Sequence, residues 1–375
     1  MNLSYWELKE WFSKIDFAIV GSGIVGLNCA LQLKKIHPKA TIIVLEKGML
    51  PQGASTKNAG FACFGSLSEI LDDLQSHTEE EVFKLIKKRW EGLQLLRSNL
   101  GDKKIDFQLN KGFELFKEKE IFEECLQQKE AINQLLHPIF NSAIFTISDN
   151  QFSFQKVVPK YIVNNFEGQI DTGKMAAKLL QKVQQKGIKI INSIAVESFV
   201  EKETKIHVKT NILDFYTKKL FIATNGFANQ FINENVQPAR AQVLITKPIK
   251  NLHIKGTFHL DKGYFYFRNI DDRILFGGGR NLDFTTEQTS EFGQTSIIQN
   301  ELEKMLQEII LPTIPFEIEH RWSGIMGLGS RNLSGQKKTI VKQVSNHVFC
   351  GVRLGGMGVA IGSLVGKELA ELTKK

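Results

Sequence analysis

Gly21, Gly23 and Gly26 keep the spacing Gly-x-Gly-x-x-Gly between an apolar run, Phe17-Ala18-Ile19-Val20, and a segment with helical periodicity through Leu27, Ala30, Leu31 and Leu33. Each glycine has its own use if the turn holds a dinucleotide. Gly21 permits the tight turn, Gly23 lets the backbone approach a pyrophosphate, and Gly26 lets helix and strand pack closely. The phosphate charge then faces the helix N-terminus, with Ile24 and Val25 among the contacts, where N–H groups are unbonded and the dipole is positive. About twenty residues on, the apolar run Thr41-Ile42-Ile43-Val44-Leu45 ends at Glu46, an acid placed to accept hydrogen bonds from a ribose diol. The competing reading is a glycine turn without a nucleotide. The strand before it, the helix after it and the acid at the next strand end together favour the dinucleotide.

The segment after Glu46 and Lys47 bears on which dinucleotide. Gly53-Ala54-Ser55-Thr56-Lys57-Asn58-Ala59-Gly60 is small and polar. Ser55, Thr56 and Asn58 are suited to deliver hydroxyl and N–H donors to a second phosphate and a ribityl chain. Ala59 and Gly60 leave bare backbone against which a flat ring system lies. Standing alone, the same residues would make an ordinary polar loop.

The elements that must position these residues follow from periodicity. The opening is a βαβ unit. Ser68 to Leu100 reads as mostly helical, Phe113 to Phe116 as a strand and Glu118 to Leu136 as a helix. Met175 to Lys186 reads as an amphipathic helix ending at Gly187, followed by the strand 188–191 and further strands over 194–222. Residues 242–276 have period two and are aromatic-rich, which predicts an antiparallel sheet; 294–310 return to helix, and a glycine-rich turn leads into a last helix from Val359 to Leu372. The β/α pattern opens and closes the chain around the antiparallel material, so the expected domains interleave: 1–80, 158–235 and 325–375 for the nucleotide, 81–157 and 236–324 for a substrate or cap domain.

Composition narrows the class. Of 375 residues, 42% are hydrophobic and 23% charged, which excludes disordered, collagen-like and low-complexity chains. Lys plus Arg is 48 and Asp plus Glu 40, a formal charge of +8 spread over short runs such as Lys87-Lys88-Arg89, Lys103-Lys104, Lys337-Lys338 and Lys374-Lys375. Such dispersed charge reads as solvated surface, and nucleic acid is not expected as a partner. Cys29, Cys63, Cys125 and Cys350 form no C-x-x-C pair and the histidines show no zinc spacing, so no metal is expected and the thiols read as reduced. With Glu7, Lys9 and Glu10 where a signal's apolar region would begin, and Phe17 to Leu33 too short and glycine-rich for a span, the expectation is a soluble, cytoplasmic protein with no membrane span.

At Val20 to Leu27, Val44-Leu45-Glu46-Lys47 and Gly53-Ala54-Ser55 to Asn58-Ala59-Gly60, the sequence resembles the D-amino-acid-oxidase-like flavoproteins, a family that includes glycine oxidase, sarcosine oxidase and the γ-glutamylputrescine oxidases. The resemblance returns at Ala223-Thr224-Asn225-Gly226 and at Gly351 to Ala360. It implies an α/β fold in which an FAD-binding, Rossmann-like βαβ domain of the glutathione-reductase type is interleaved with an antiparallel-sheet α+β substrate domain. It implies FAD, bound extended, with Val196, Ala223, Thr224, Gly226 and Gly324 among its contacts. Some members link FAD to a cysteine in the C-terminal part of the chain, which Cys63, just beyond the loop, does not match, so non-covalent binding is expected over a covalent link. The flavin's pyrimidine end is expected at Gly355, Gly356, Met357, Gly358 and Val359, where a helix N-terminus would stabilise charge near N1 and C2=O.

The family chemistry implied is removal of a hydride equivalent from the carbon beside an uncharged amine, delivered to flavin N5, giving an imine that water hydrolyses. That needs position and a dry pocket more than acid–base groups, so no catalytic residue is assigned. The expected substrate is a small amine or amino acid, and the expected electron acceptor O2 or another carrier, since no lysine appears in Ile274-Leu275-Phe276, where the sarcosine oxidases place one. Pocket candidates are Tyr264, Tyr266 and Arg268, which alternation puts on one strand face opposite Phe265 and Phe267, and Arg321 in His320-Arg321-Trp322-Ser323-Gly324. Where amino-acid-oxidising relatives run on into Arg-Pro, this chain has Ile325-Met326-Gly327, which tilts the expectation towards an amine. Two other readings stay open: an FAD enzyme acting on tRNA, related to the wobble-uridine-modifying oxidoreductases, and an electron-relay flavoprotein.

Overall fold

The computed structural model describes residues 2–330 and 338–374; Lys337 and Lys375, members of two of the basic runs, lie outside the described residues. The apolar run at the head of the glycine motif is a strand, Ile15–Val20, lying between Ile42–Leu45 and Asp214–Ile222 and parallel to both. Its two faces enter two different cores. Phe17 and Ile19, with Ile42 and Val44, pack under the helices Ile24–Ile36, Thr172–Gln185 and Gly358–Glu371. Ile15, Ala18 and Val20, with Ile43 and Leu45, pack against Ile206, Val208 and Phe215 of the antiparallel strands Ile206–Thr210 and Asp214–Ile222. A strand covered on both sides has no polar face to show, which is why the run reads as continuous hydrophobicity. The full sheet has eight strands: Ile340–Gln343, Val348–Val352, Asp214–Ile222, Ile15–Val20, Ile42–Leu45 and Lys189–Ile191 in order, with Ile206–Thr210 and Val196–Glu201 branching from Asp214–Ile222.

The first and last of these helices are in direct backbone contact because glycine faces the joint. A Cβ at Gly366 would stand 2.5 Å from Val25 O, and one at Gly362 would stand 2.8 Å from the Ile24 side chain. Their close approach sets the two helix N-termini side by side.

A second sheet of eight strands runs Ile318–Leu328, Gln237–Thr246, Arg273–Gly278, Phe265–Ile270, Thr257–Leu260, Gly112–Glu114, Lys160–Asn164 and Phe145–Asp149. All pairings are antiparallel except Thr257–Leu260 with Gly112–Glu114. One face carries a cross-strand row, Leu244, Phe276, Phe267, Phe258 and Phe113, with Phe258 and Phe267 stacked at 4.5 Å. This row packs on Ile298, Leu302 and Leu306 of the helix Ser296–Met305 and the turn after it. Much of the chain's phenylalanine is therefore core. The opposite face looks towards the first sheet.

Differences from expectation are local. Ser68 to Leu100 is two helices, Leu67–Leu74 and Glu79–Leu100, because Thr78 and Glu81 form a capping box that starts a new helix. The strand Lys160–Asn164 belongs to the second sheet, although the expected boundary at 158 gives it to the nucleotide part, and Ile318–Leu328 runs through the boundary at 325. The helix expected to end at Leu136 continues to Phe140, carrying Pro138 in its last turn. Among the described residues no helix is long and apolar enough to cross a membrane.

Candidate active site

The glycine turn is as tight as its spacing demands. Gly21 sits at φ +104°, where a side chain is strained, and a Cβ there would stand 2.8 Å from Ala223 O; at Gly26 a Cβ would collide with Gly21 O. Gly23 is the N-cap of the helix Ile24–Ile36 and supplies no side-chain cap. Instead Ser55 Oγ, arriving from the polar loop, accepts the Ile24 N–H at 2.9 Å. Glu46 is buried, and its Oε2 accepts from Ser22 N at 3.1 Å and Ser22 Oγ at 2.6 Å while Oε1 accepts from Gly48 N at 3.1 Å. The acid thus shapes the turn as well as marking the strand end. Ser22, Ile24, Ser55 and Thr56 line a shallow depression against Met175 and Leu179 of the neighbouring helix.

Ile194 N donates to Glu46 O, so the strand beginning at Val196 starts beside the acid; Val196 itself is buried with Leu45. Lys47 is exposed and takes no part in the turn. Asn58 Oδ1 accepts from Gly60 N and from Thr172 Oγ1, both at 2.9 Å, and holds the loop's far end; Thr56 Oγ1 donates to Pro51 O within it.

The late glycine turn meets this loop. Ala223 N donates to Val20 O. Asn225, at φ +46°, accepts Leu354 N on its Oδ1 at 3.1 Å, and Gly355 N donates to Gly327 O at 3.0 Å. A Cβ at Gly226 would stand 2.5 Å from Met326 O, and one at Gly324 would stand 2.9 Å from Lys57 Cβ. By contrast, Cβ atoms at Gly355, Gly356 and Gly358 would meet none of the described residues within 4 Å, and Met357 puts no side-chain cap on the helix Gly358–Glu371. Among the described residues this helix N-terminus has bare amides, a second anion-stabilising end beside the first. Thr224 Oγ1 is buried with no partner among the described residues. Two helix N-termini, the first capped by Ser55 Oγ and the second bare, with the Thr224 hydroxyl and the Glu46 carboxylate, form a donor and acceptor set that fits an extended dinucleotide with a ring needing negative-charge stabilisation. Cys63 lies next to this turn with Sγ 3.8 Å from Met357 Sδ, and burial pushes its thiol pKa well above the ordinary value.

The inner face of the second sheet carries the row Trp322, Val243, Gly277, Tyr266, His259 and Glu114, one residue from each of six adjacent strands. At Gly277 the Val243 and Tyr266 side chains close over the bare backbone, since a Cβ there would stand 2.3 Å from Val243 and 2.8 Å from Tyr266. Ala59 and Phe61 of the loop come down on this row, forming an apolar cluster with Val243, Ile245, Tyr266, Ile270, Leu275 and Trp322. Phe61 packs edge-on to Tyr266 at 5.5 Å, and Trp322 Nε1 donates to Lys57 O at 2.9 Å. The Tyr266 hydroxyl has no hydrogen-bond partner among the described residues. Part of its ring is open, yet enough protein surrounds it that desolvation pushes its pKa up to about 12.

Of the four pocket candidates only Tyr266 lies in this cluster. Tyr264 precedes the strand, is 38% exposed and packs on Phe284. Arg268 shares Tyr266's face but is buried beneath the loop, its Nη1 donating to Gly60 O at 2.9 Å and Ile170 O at 2.7 Å. Burial lowers its pKa to about 10, so it remains a cation at neutral pH. Arg321 points the other way, to Gln299 at 2.6 Å and Glu303 at 2.7 Å on the helix behind the sheet. Both arginines are thus corrected from substrate contacts to structural ones. Ser22, Phe61, Asn225 and Trp322 were missed. Trp322 was within reach: choosing Gly324 for the inner face fixes Trp322 there by period two and sends Arg321 outward.

The profile of the family described as FAD dependent oxidoreductase matches residues 16–372, and the chain belongs to that family. It is an FAD-dependent oxidoreductase of the D-amino-acid-oxidase type. Among solved structures it is similar to L-proline dehydrogenase from P. horikoshii (18% identity, TM-score 0.74, 96% of this chain and 93% of that one). It is also similar to glycine oxidase from Bacillus cereus (13%, 0.77, 96% and 97%) and to iminodiacetate oxidase from a Chelativorans species (16%, 0.74, 96% and 95%). These likenesses confirm the interleaved α/β fold. A search of curated proteins finds no match.

Proposed function

We propose that the protein oxidises the C–N bond of a small amine or amino acid, with FAD held non-covalently. The observation that carries this reading is the half-buried aromatic group Phe61, Tyr266 and Trp322, set against the loop that would receive the flavin. Bound FAD supplies the acceptor for a hydride equivalent from the carbon next to nitrogen. The chain's part is to bind, orient and dry. The two helix N-termini and the Ser55 hydroxyl hold the phosphates and the ring's electron-rich end. The aromatic side chains exclude water, which favours an uncharged amine, and Tyr266 offers one hydroxyl to orient it.

The similar structures are named for proline, glycine and iminodiacetate, each a compound with an amine carbon to oxidise, which supports the reaction class. Engagement of Arg268 and Arg321 elsewhere favours an amine, or an amino acid held without those arginines. The raised thiol pKa of Cys63 argues against a covalent flavin link through it, since the thiolate is the reactive form. The test is the visible spectrum of the purified protein, taken anaerobically before and after adding glycine, sarcosine, proline, D-amino acids and polyamine derivatives. Bleaching of a flavin spectrum by one of them is expected. A colourless protein that FAD does not reconstitute refutes the cofactor role, and an unbleached flavin spectrum across the whole panel refutes the substrate class.

A further inference from the structure

Beyond the aromatic cluster, the inner row ends in a buried polar group that the proposed chemistry does not use. His259 Nε2 lies 2.6 Å from Glu167 Oε1, which also accepts from Thr257 Oγ1 at 2.7 Å; His259 is 5% exposed and Glu167 and Thr257 fully buried. The next strand brings Glu114, which accepts from Ser66 Oγ at 3.0 Å and from Ser68 N at 3.2 Å. His259 stands directly across from Tyr266 in the sheet, and its ring meets the Phe61 ring edge-on at 5.3 Å. Glu167 comes immediately before Gly168–Gln169, the two-residue strand that pairs with Phe61–Ala62.

We propose that Glu167 and His259 are positioning residues for the substrate side of the flavin site, fixing the Phe61 ring against Tyr266 and so setting the width of the aromatic pocket. The inference rests on the function proposed above. Phe61 is held twice by the same pair: its backbone through the strand that follows Glu167, and its ring through His259. The Phe61 ring thus packs on an imidazole that a buried ion pair holds in place, and breaking such a pair is strongly unfavourable. His259 is held in its charged form at neutral pH. Burial by itself lowers the His259 pKa, but the Glu167 carboxylate reverses this, with Glu69 and Glu114 adding to it, and holds the pKa at about 9.

The test uses the FAD-loaded protein and sulfite, a small anion that adds to flavin N5 in accessible sites and is read by loss of the long-wavelength flavin band. Glu167→Gln, Phe61→Leu and the double variant are compared, with flavin content and the visible circular dichroism of the flavin measured alongside. Each single change is expected to shift sulfite affinity about tenfold and alter the dichroism, and the double variant to match Phe61→Leu alone, as coupled residues do. Unchanged affinity in Glu167→Gln, or additive effects in the double variant, overturns the proposal. His259→Gln provides an independent check; loss of FAD from both it and Glu167→Gln also overturns it, because a positioning role leaves cofactor binding intact. Sulfite requires no substrate, so coupling without any amine oxidation would sink the function and keep the inference, whereas amine oxidation with additive effects would do the reverse.

Discussion

Arg268→Met separates two roles that the sequence alone does not distinguish. In the structure Arg268 clamps the carbonyls of Gly60 and Ile170, on the two short segments that pair beneath the flavin loop. A hydrogen bond to a charged donor contributes roughly 1.5–3 kcal/mol, so the two together contribute about 3–6 kcal/mol. Against this stands the burial of the cation, which lowers the pKa to about 10 and opposes folding by about 3 kcal/mol. Gly60 O retains the N–H of Ile170, but Ile170 O loses its one donor. The net loss on substitution is therefore about 0–3 kcal/mol, concentrated in the loop. If it falls on the FAD-bound state, FAD affinity drops by up to about 150-fold. The assay is FAD titration of the apoprotein by flavin fluorescence, with chemical denaturation of the apoprotein beside it. Arg268→Lys, with one ammonium for two carbonyls, should recover part of the loss. Unchanged FAD affinity and stability, together with weaker binding of a carboxylated substrate, would refute the clamp and return Arg268 to the pocket.

Gly23→Glu sets an anion at the helix N-terminus beside Ser55 and should yield a folded but colourless protein; retained flavin would contradict the nucleotide site. Gly356→Val adds a side chain where the apoprotein has open space, so apoprotein stability should stay within about 0.5 kcal/mol while FAD affinity falls; a parallel loss of both would place the flavin elsewhere. Arg321→Ala, by contrast, removes only the bonds to Gln299 and Glu303 and should leave the KM for any substrate found unchanged. For His259 the folded pKa lies above the unfolded value of about 6.5, so its stabilisation is complete below that pH and is lost as pH rises through 9. Denaturation of the apoprotein should show this decline between pH 6.5 and 9, and His259→Gln should abolish it.

The glycine turn, Glu46 and the loop through Gly60 were legible because each depends on local backbone geometry: φ above zero at Gly21 and Gly60, close approach at Gly26, and an acid ending a strand. The second sheet was legible where alternation is strong, in 258–276, and not at Lys160–Asn164 or Ile318–Leu328, whose mixed polar and apolar residues carry no clear period. The aromatic strand was assigned to its two faces correctly, with Phe267 outward in the phenylalanine row and Tyr266 inward.

What sequence could not supply was the partner of each charge. Arg268 and Arg321 both have the chemistry to grip a carboxylate, and nothing local distinguishes a guanidinium facing a pocket from one bonded to Gly60, 208 residues away, or to Glu303, 18 residues away. The same holds for Glu167, whose ion pair with His259 spans 92 residues. The sequence by itself determined the glycine turn, the buried parallel strands and the family, because these are written in short-range sterics and periodicity. The tertiary structure alone decided which distant side chains meet, since long-range packing assigns each buried charge to its partner and gathers Phe61, Tyr266 and Trp322 into one cluster.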